Sequence, residues 1–206
     1  MSGIVGQNTL DNSGLIKSPA GGGAWNFIKK LTASASADLS FVDGTDDVVL
    51  DSTYKEYVFT FNNIHPETDE TDFTFNLSVD TGSNYNVAKT TAAFYAIHSE
   101  DDNTTNLAYN TAFDLAQGTG FQDLAGSLGN GNDECAVGYI RLFNPSSTTF
   151  VKHFVTRVQY YNGGNYSQEY YVAGYGNTTS AVDAVQFKMS ADAIDAGDIC
   201  LYGISS

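Results

Sequence analysis

The chain has 206 residues, 42% hydrophobic and 16% charged, with 13 Tyr, 13 Phe and 20 Gly against 3 Pro and 2 Met. That length and apolar content suffice for one sizeable core, and the aromatic- and glycine-rich composition favours strands and tight turns over helices. A net charge of -15 repels nucleic-acid phosphates and anionic lipid, so the expectation is no nucleic-acid partner and no membrane partner.

Residues 1–23 differ from the rest. They are rich in Gly, Ser and Asn, end in PAGGGA, and show neither helical nor strand periodicity, so they read as an extended N-terminal arm. The opening MSGIVGQNTLDNSGLIK lacks the basic-then-apolar layout of a secretory signal, and no run approaches the ~18 apolar residues of a membrane span. Ile4, Val5, Leu10, Leu15 and Ile16 are apolar residues that a plain spacer would lack, and Lys17 gives this acidic chain a local positive charge. These six are the candidate partner-binding residues, a tail that orders when it docks.

From residue 24 to 206 the pattern is that of a single β domain. Trp25 to Phe41 reads as an opening strand followed by an Ala/Ser-rich strand, with Trp25 as a core or subunit-interface anchor. The turn residues Asp43, Gly44 and Thr45 lead into Val48, Val49 and Leu50. Tyr57, Phe59 and Phe61 then share one parity, and after Pro66 and an acidic loop the alternation restarts at Phe73, Phe75, Leu77 and Val79. Period two with one apolar parity predicts half-buried strands, with Thr74, Asn76 and Ser78 facing water. Pro66 has no N–H to donate and ends its strand. Asp80 to Asn86 is a turn with Gly82 at positive φ, and Thr90–His98 is a further strand, apolar on both parities. Residues 107–134 read as irregular with short strands. Cys135–Pro145 and the run from Ser146 to Tyr161 are strands, Asn162-Gly163-Gly164 is a hairpin tip, and three closing segments reach the C-terminus. About nine to ten strands at this spacing predict an all-β fold, a jelly-roll-like antiparallel β-sandwich preceded by the arm.

Chemistry-bearing patterns are sparse. His65, His98 and His153 are far apart and sit in no nucleophile or zinc motif, and 24 acidic residues make carboxylate pairs inevitable by chance, so no catalytic residues and no enzyme activity are expected. Cys135 and Cys200 have no metal spacing; two buried free thiols are the expectation and a bridge the alternative. Asp101, Asp102 and Asp133 lie in acidic loops that offer hard oxygen ligands of the kind calcium takes, but none matches an ordered calcium loop, and solvated loop charge is the competing reading. No cofactor is required. Tyr161, Tyr166, Tyr170, Tyr171 and Tyr175 crowd one C-terminal hairpin; alternation must turn some rings outward, where they would contact another subunit or a glycan.

The segments YKEYVFTFNNIHPETDETDFTFNLSVDTGSNYN and DAGDICLYGI resemble a family of small virion-associated proteins of tailed bacteriophages, marine and cyanobacterial ones especially, and SGIVGQN…SGLIK resembles their N-terminal arms. The resemblance spans residues 25–206. It implies a non-enzymatic structural protein at the virion surface, most simply a capsid decoration or cement protein held by its arm on the major capsid protein. The alternative it implies is a tail fibre or receptor-binding module joined to tail proteins and touching host glycan through the tyrosine-rich face. A homo-oligomer, a trimer by analogy with decoration and fibre proteins, is the expected state.

Overall fold

A computed structural model describes residues 24–205. The described chain is all-β, with thirteen strands: β1 Trp25–Ser36, β2 Leu39–Val42, β3 Glu56–Pro66, β4 Thr71–Ser78, β5 Lys89–Ser99, β6 Thr105–Tyr109, β7 Ala116–Gly118, β8 Gln122–Leu128, β9 Ala136–Phe143, β10 Lys152–Asn162, β11 Tyr166–Gly176, β12 Ala184–Met189 and β13 Ile194–Ile204. Every pairing is antiparallel. A large layer runs β1-β13-β3-β9-β10-β11-β5, with β6 and β7 both against β5; a small layer runs β8-β4-β12-β2. One backbone bridge, Asn162 to Leu128, joins β10 to β8, so the two layers are a single sheet folded over on itself into the expected sandwich-like shape.

The alternation in β3 places Tyr57, Phe59 and Phe61 inside, and Pro66 is the last residue of that strand. Phe187 of β12 sits at the centre of the core, its ring 5.3 to 6.4 Å from those of Phe41, Phe59, Phe61, Phe73 and Phe75. These contacts clamp β2, β4 and β12 of the small layer onto β3 of the large one. Phe75 meets Phe154 of β10 edge to face at 5.0 Å and extends the same seam. Tyr160 is fully buried and its hydroxyl accepts the Gly126 N–H, so the one polar atom of that ring is satisfied.

Four expectations change. β4 is not half-buried: Thr74, Asn76 and Ser78 are buried along with Phe73, Phe75 and Leu77, because the chain from Asp80 to Ala88 folds back over their face. Asn76 Nδ2 donates to Tyr85 O at 2.6 Å and to Thr119 O at 3.0 Å, and Asn76 Oδ1 accepts from the buried ammonium of Lys89, which also donates to Val87 O at 3.0 Å. Polar side chains are stable there because each partner group is matched. Second, Val79 is exposed, where alternation aimed it at the core: the strand ends at Ser78 and the turn takes over, with Gly82 at the expected positive φ of 75°. Third, Trp25 to Ser36 is one long strand rather than two, and Trp25 is 54% exposed, which removes its core role. Fourth, both cysteines are free, but only Cys200 is buried; Cys135 is half-buried.

Candidate interaction surface

The pleat that sends Phe59, Ile140, Phe154 and Val172 inward sends their neighbours to the outer face of the large layer. Strand register then aligns those neighbours in rows. One row reads Tyr139 on β9, Arg157 on β10, Tyr171 on β11, Phe94 on β5 and Tyr109 on β6. The next has Arg141, Val155, Ala173 and Ala92. At the far edge Trp25 and Phe27 of β1 pack edge-to-face on Tyr202 of β13, at 5.5 and 5.7 Å between ring centroids. Of the nine exposed large hydrophobic residues among those described, all but Val79 and Phe150 lie on this one face: Trp25, Phe27, Phe94, Leu107, Tyr109, Val137 and Val155.

The centre of the face is ordered. Phe94 and Tyr171 stack in parallel, 4.7 Å between centroids at 6°, and the Arg157 guanidinium lies 5.5 Å over the Tyr171 ring. Glu169 pairs with Arg157, and Glu56 pairs with Arg141. The hydrogen bond from Arg157 lowers the pKa of Glu169, and the hydrogen bond with Glu169 raises that of Arg157. Both arginines of the chain are therefore held extended on this face. Between the rings, Ala92 and Ala173 leave a shallow apolar hollow of about 280 Å³. Aromatic rings with arginine and few free charges match the composition of buried interface centres.

The expected site residues divide as follows. Tyr171 and Tyr175 lie on the outer face, Tyr175 against the ring of His153, and Tyr161, on the same parity, donates to Asn165. Tyr166 and Tyr170 belong to the opposite parity. Tyr170 is 1% exposed, packed against Tyr95 and Phe113, so it is a packing residue and not a surface contact. Ile4, Val5, Leu10, Leu15, Ile16 and Lys17 lie outside the described residues. The Asp101 carboxylate is consumed by its own turn, accepting from Ser99 Oγ and from the backbone and side chain of Asn103, which lowers its pKa. Asp102 faces His98 at 3.2 Å, and Asp133 sits in the loop after β8. No group of three or more candidate ligands converges among the described residues. The histidines stay apart as well: His65 meets Gly131 O and Asp195, away from the other two.

No protein family, no curated protein and no solved structure matches the chain. The surface therefore speaks through its own chemistry. Sequence reasoning named Tyr161, Tyr171, Tyr175 and, as one of two roles, Trp25 at a subunit interface, but missed Phe27, Phe94, Tyr109, Tyr139, Val155, Arg157 and Tyr202. A signal was present: Ala92, Phe94 and Ala96 alternate with Ala93, Tyr95 and Ile97, so β5 is apolar on both parities, which an open solvent face does not require.

Proposed function

We propose that this chain is a non-enzymatic structural subunit of a bacteriophage particle, a decoration protein that attaches through residues 1–23 and packs against further copies of itself through the outer face of the large layer. The observation that carries the reading is the gathering of seven exposed large hydrophobics and both arginines on one sheet face. Monomeric proteins rarely leave such a patch bare. Eight strands across at about 4.8 Å spacing and roughly eleven residues along give a plane on the order of 1,000 Å², above the ~800 Å² per partner of a stable interface. The first described strand begins at Trp25, on the edge of this face. The virion setting rests on the resemblance of the Tyr54–Asn86 and Asp195–Ile204 segments.

Electron cryo-microscopy of the intact particle tests the reading. Copies spread over the shell, touching through β5, β10 and β11, are the expected result, and removal of residues 2–22 is expected to abolish incorporation. Density confined to the tail, or a variant that still incorporates without residues 2–22, overturns it. A tail receptor-binding module is the second reading, favoured by the half-exposed Tyr161, Tyr171 and Tyr175 on one parity of the hairpin.

A further inference from the structure

The core-facing side of the β5–β11 pair is only partly covered. Near the middle of these strands Ala93 and Val172 are buried under the small layer. Toward the hairpin tip the small layer stops: β8 ends at Leu128, where it meets Asn162. The inward parity beyond that point changes from aliphatic to aromatic and amide residues, in register pairs Tyr95 with Tyr170, Ile97 with Gln168, and Ser99 with Tyr166. All but Ser99 floor a cleft of about 420 Å³, walled by Asn110, Phe113, Gly126, Ser127 and Asn162. That volume lies within the ~300–1,000 Å³ of small-ligand pockets. A second recess of about 300 Å³, past the turn residues Glu100 and Asp101, shares Tyr166 with the first. The Tyr166 ring thus stands between two hollows of one groove.

The wall is a bulge. Thr71 pairs with Leu128 and Phe73 with Ala125, so Gly126 and Ser127 together face Asp72, and Ser127 adopts φ of 52° with its N–H donated to Asp72 Oδ1 at 2.9 Å. A Cβ on Gly126 would stand 2.3 Å from Phe113, so glycine lets that ring close the wall. The floor is pre-positioned too. Tyr95 and Tyr170 stack at 5.8 Å, Asn110 donates to Tyr170, and Asn162 donates to Gly126 O at 3.2 Å and to Gln168 Oε1 at 3.3 Å. Among the described residues, Gln168 Nε2, the Tyr166 hydroxyl and Ser127 Oγ make no hydrogen bond, which leaves donors and acceptors free at the rim.

We propose that this groove binds an uncharged oligosaccharide, one sugar ring lying on Tyr166 and its hydroxyls bonded to Gln168, Ser127 and Asn110. Sugars present apolar ring faces flanked by hydroxyls that both donate and accept, which is what an aromatic floor edged by amides and hydroxyls accommodates. Charge selects the uncharged class: Asp72 stands behind the wall on β4, Glu100 and Asp101 line the second recess, and no cationic side chain is among the lining residues of either hollow. A uronic or sialic acid carboxylate would meet like charge. The groove opens on the parity opposite to Tyr171 and Tyr175, so it is separate from the outer face and does not depend on where the protein sits in a particle.

Saturation-transfer NMR and calorimetry on the full chain, with maltopentaose, cellopentaose, tetra-N-acetylchitotetraose and, as the charged control, trigalacturonate, test the proposal. Binding of at least one neutral probe near 1 mM or tighter is expected, with about tenfold weakening in both Tyr166→Ala and Gln168→Ala and no change in Tyr171→Ala. Gln168→Ala removes no buried group, so it reports even where Tyr166→Ala is poorly folded. Absence of binding by every neutral probe overturns the proposal. So does preference for trigalacturonate, or binding that persists in Gln168→Ala and is lost in Tyr171→Ala.

Discussion

The outer faces of the two layers have been treated in opposite ways. On β4 the outward parity is Thr74, Asn76 and Ser78, polar residues that water would solvate at no cost, yet the chain covers them with its own Asp80–Ala88 segment and seals them with Lys89. On β5, β10 and β11 the outward parity is Phe94, Val155, Arg157 and Tyr171, the chemistry that gains most from burial, and the chain leaves it open. Burial does not follow hydrophobicity alone: the polar face is an internal fastening, and the aromatic face is the one that we propose a further copy covers.

The largest expected effect breaks the first half of that contrast. Asn76→Ala takes from Lys89 one of its two acceptors and from Tyr85 O and Thr119 O the Asn76 donor, and should lower stability by about 3 kcal/mol, read by chemical denaturation. Phe94→Glu, on the other face, should leave monomer stability within about 1 kcal/mol and weaken self-association about 30-fold or more by analytical ultracentrifugation, as loss of an interface anchor does. Association unchanged by Phe94→Glu would leave the open face without its proposed occupant.

A finer test uses pH. Burial, helped by nearby Asp72, raises Asp123 to about 7, and burial lowers Lys89 to about 7. Between the ordinary carboxylate value and pH 7 the folded state holds the Asp123 proton that the unfolded state has released, so stability falls as pH rises. Between pH 7 and the ordinary lysine value the unfolded state holds the Lys89 proton that the folded state lacks, so stability rises with pH. Thermal melts across this range should show a minimum near neutrality; Asp123→Asn should flatten the acid limb and Lys89→Met the alkaline one. The smallest effect is at the edge: Arg157→Lys keeps the charge but loses the planar contact on Tyr171, and should weaken association by a few-fold at most while leaving the melt unchanged.

Legibility in the sequence tracked how local each cause was. β3, β9 and the β10–β11 hairpin could be read because Tyr57-Phe59-Phe61, Ile140-Leu142 and Phe154-Val158-Tyr160 alternate and Pro66 and Asn162-Gly163-Gly164 mark ends. The length of β1 could not, since KKLTASAS has little apolar contrast and takes its strand form from pairing with β13. Burial of Thr74 and Asn76 was hidden because it depends on a loop folding back over them. The groove was invisible for the same kind of reason: Gln168, Asn110 and Asn162 are ordinary polar residues until the small layer stops at Leu128 and leaves them facing a hollow.

The pairing of β1 with β13 also fixes a timetable. Asn26 donates to Ser205 at 2.7 Å across 179 residues of chain, and among the described residues β1 pairs with no strand but β13. β1 must therefore wait, unpaired, until β13 has been released. Contacts this distant in sequence close late and slowly. A nascent chain stalled before Ile194 would carry Trp25 and Phe27 on a strand with no partner, beside a β3 edge equally bare. Synthesis of β13 is thus the step that locks the sheet, and the same step puts the two ends of the fold side by side.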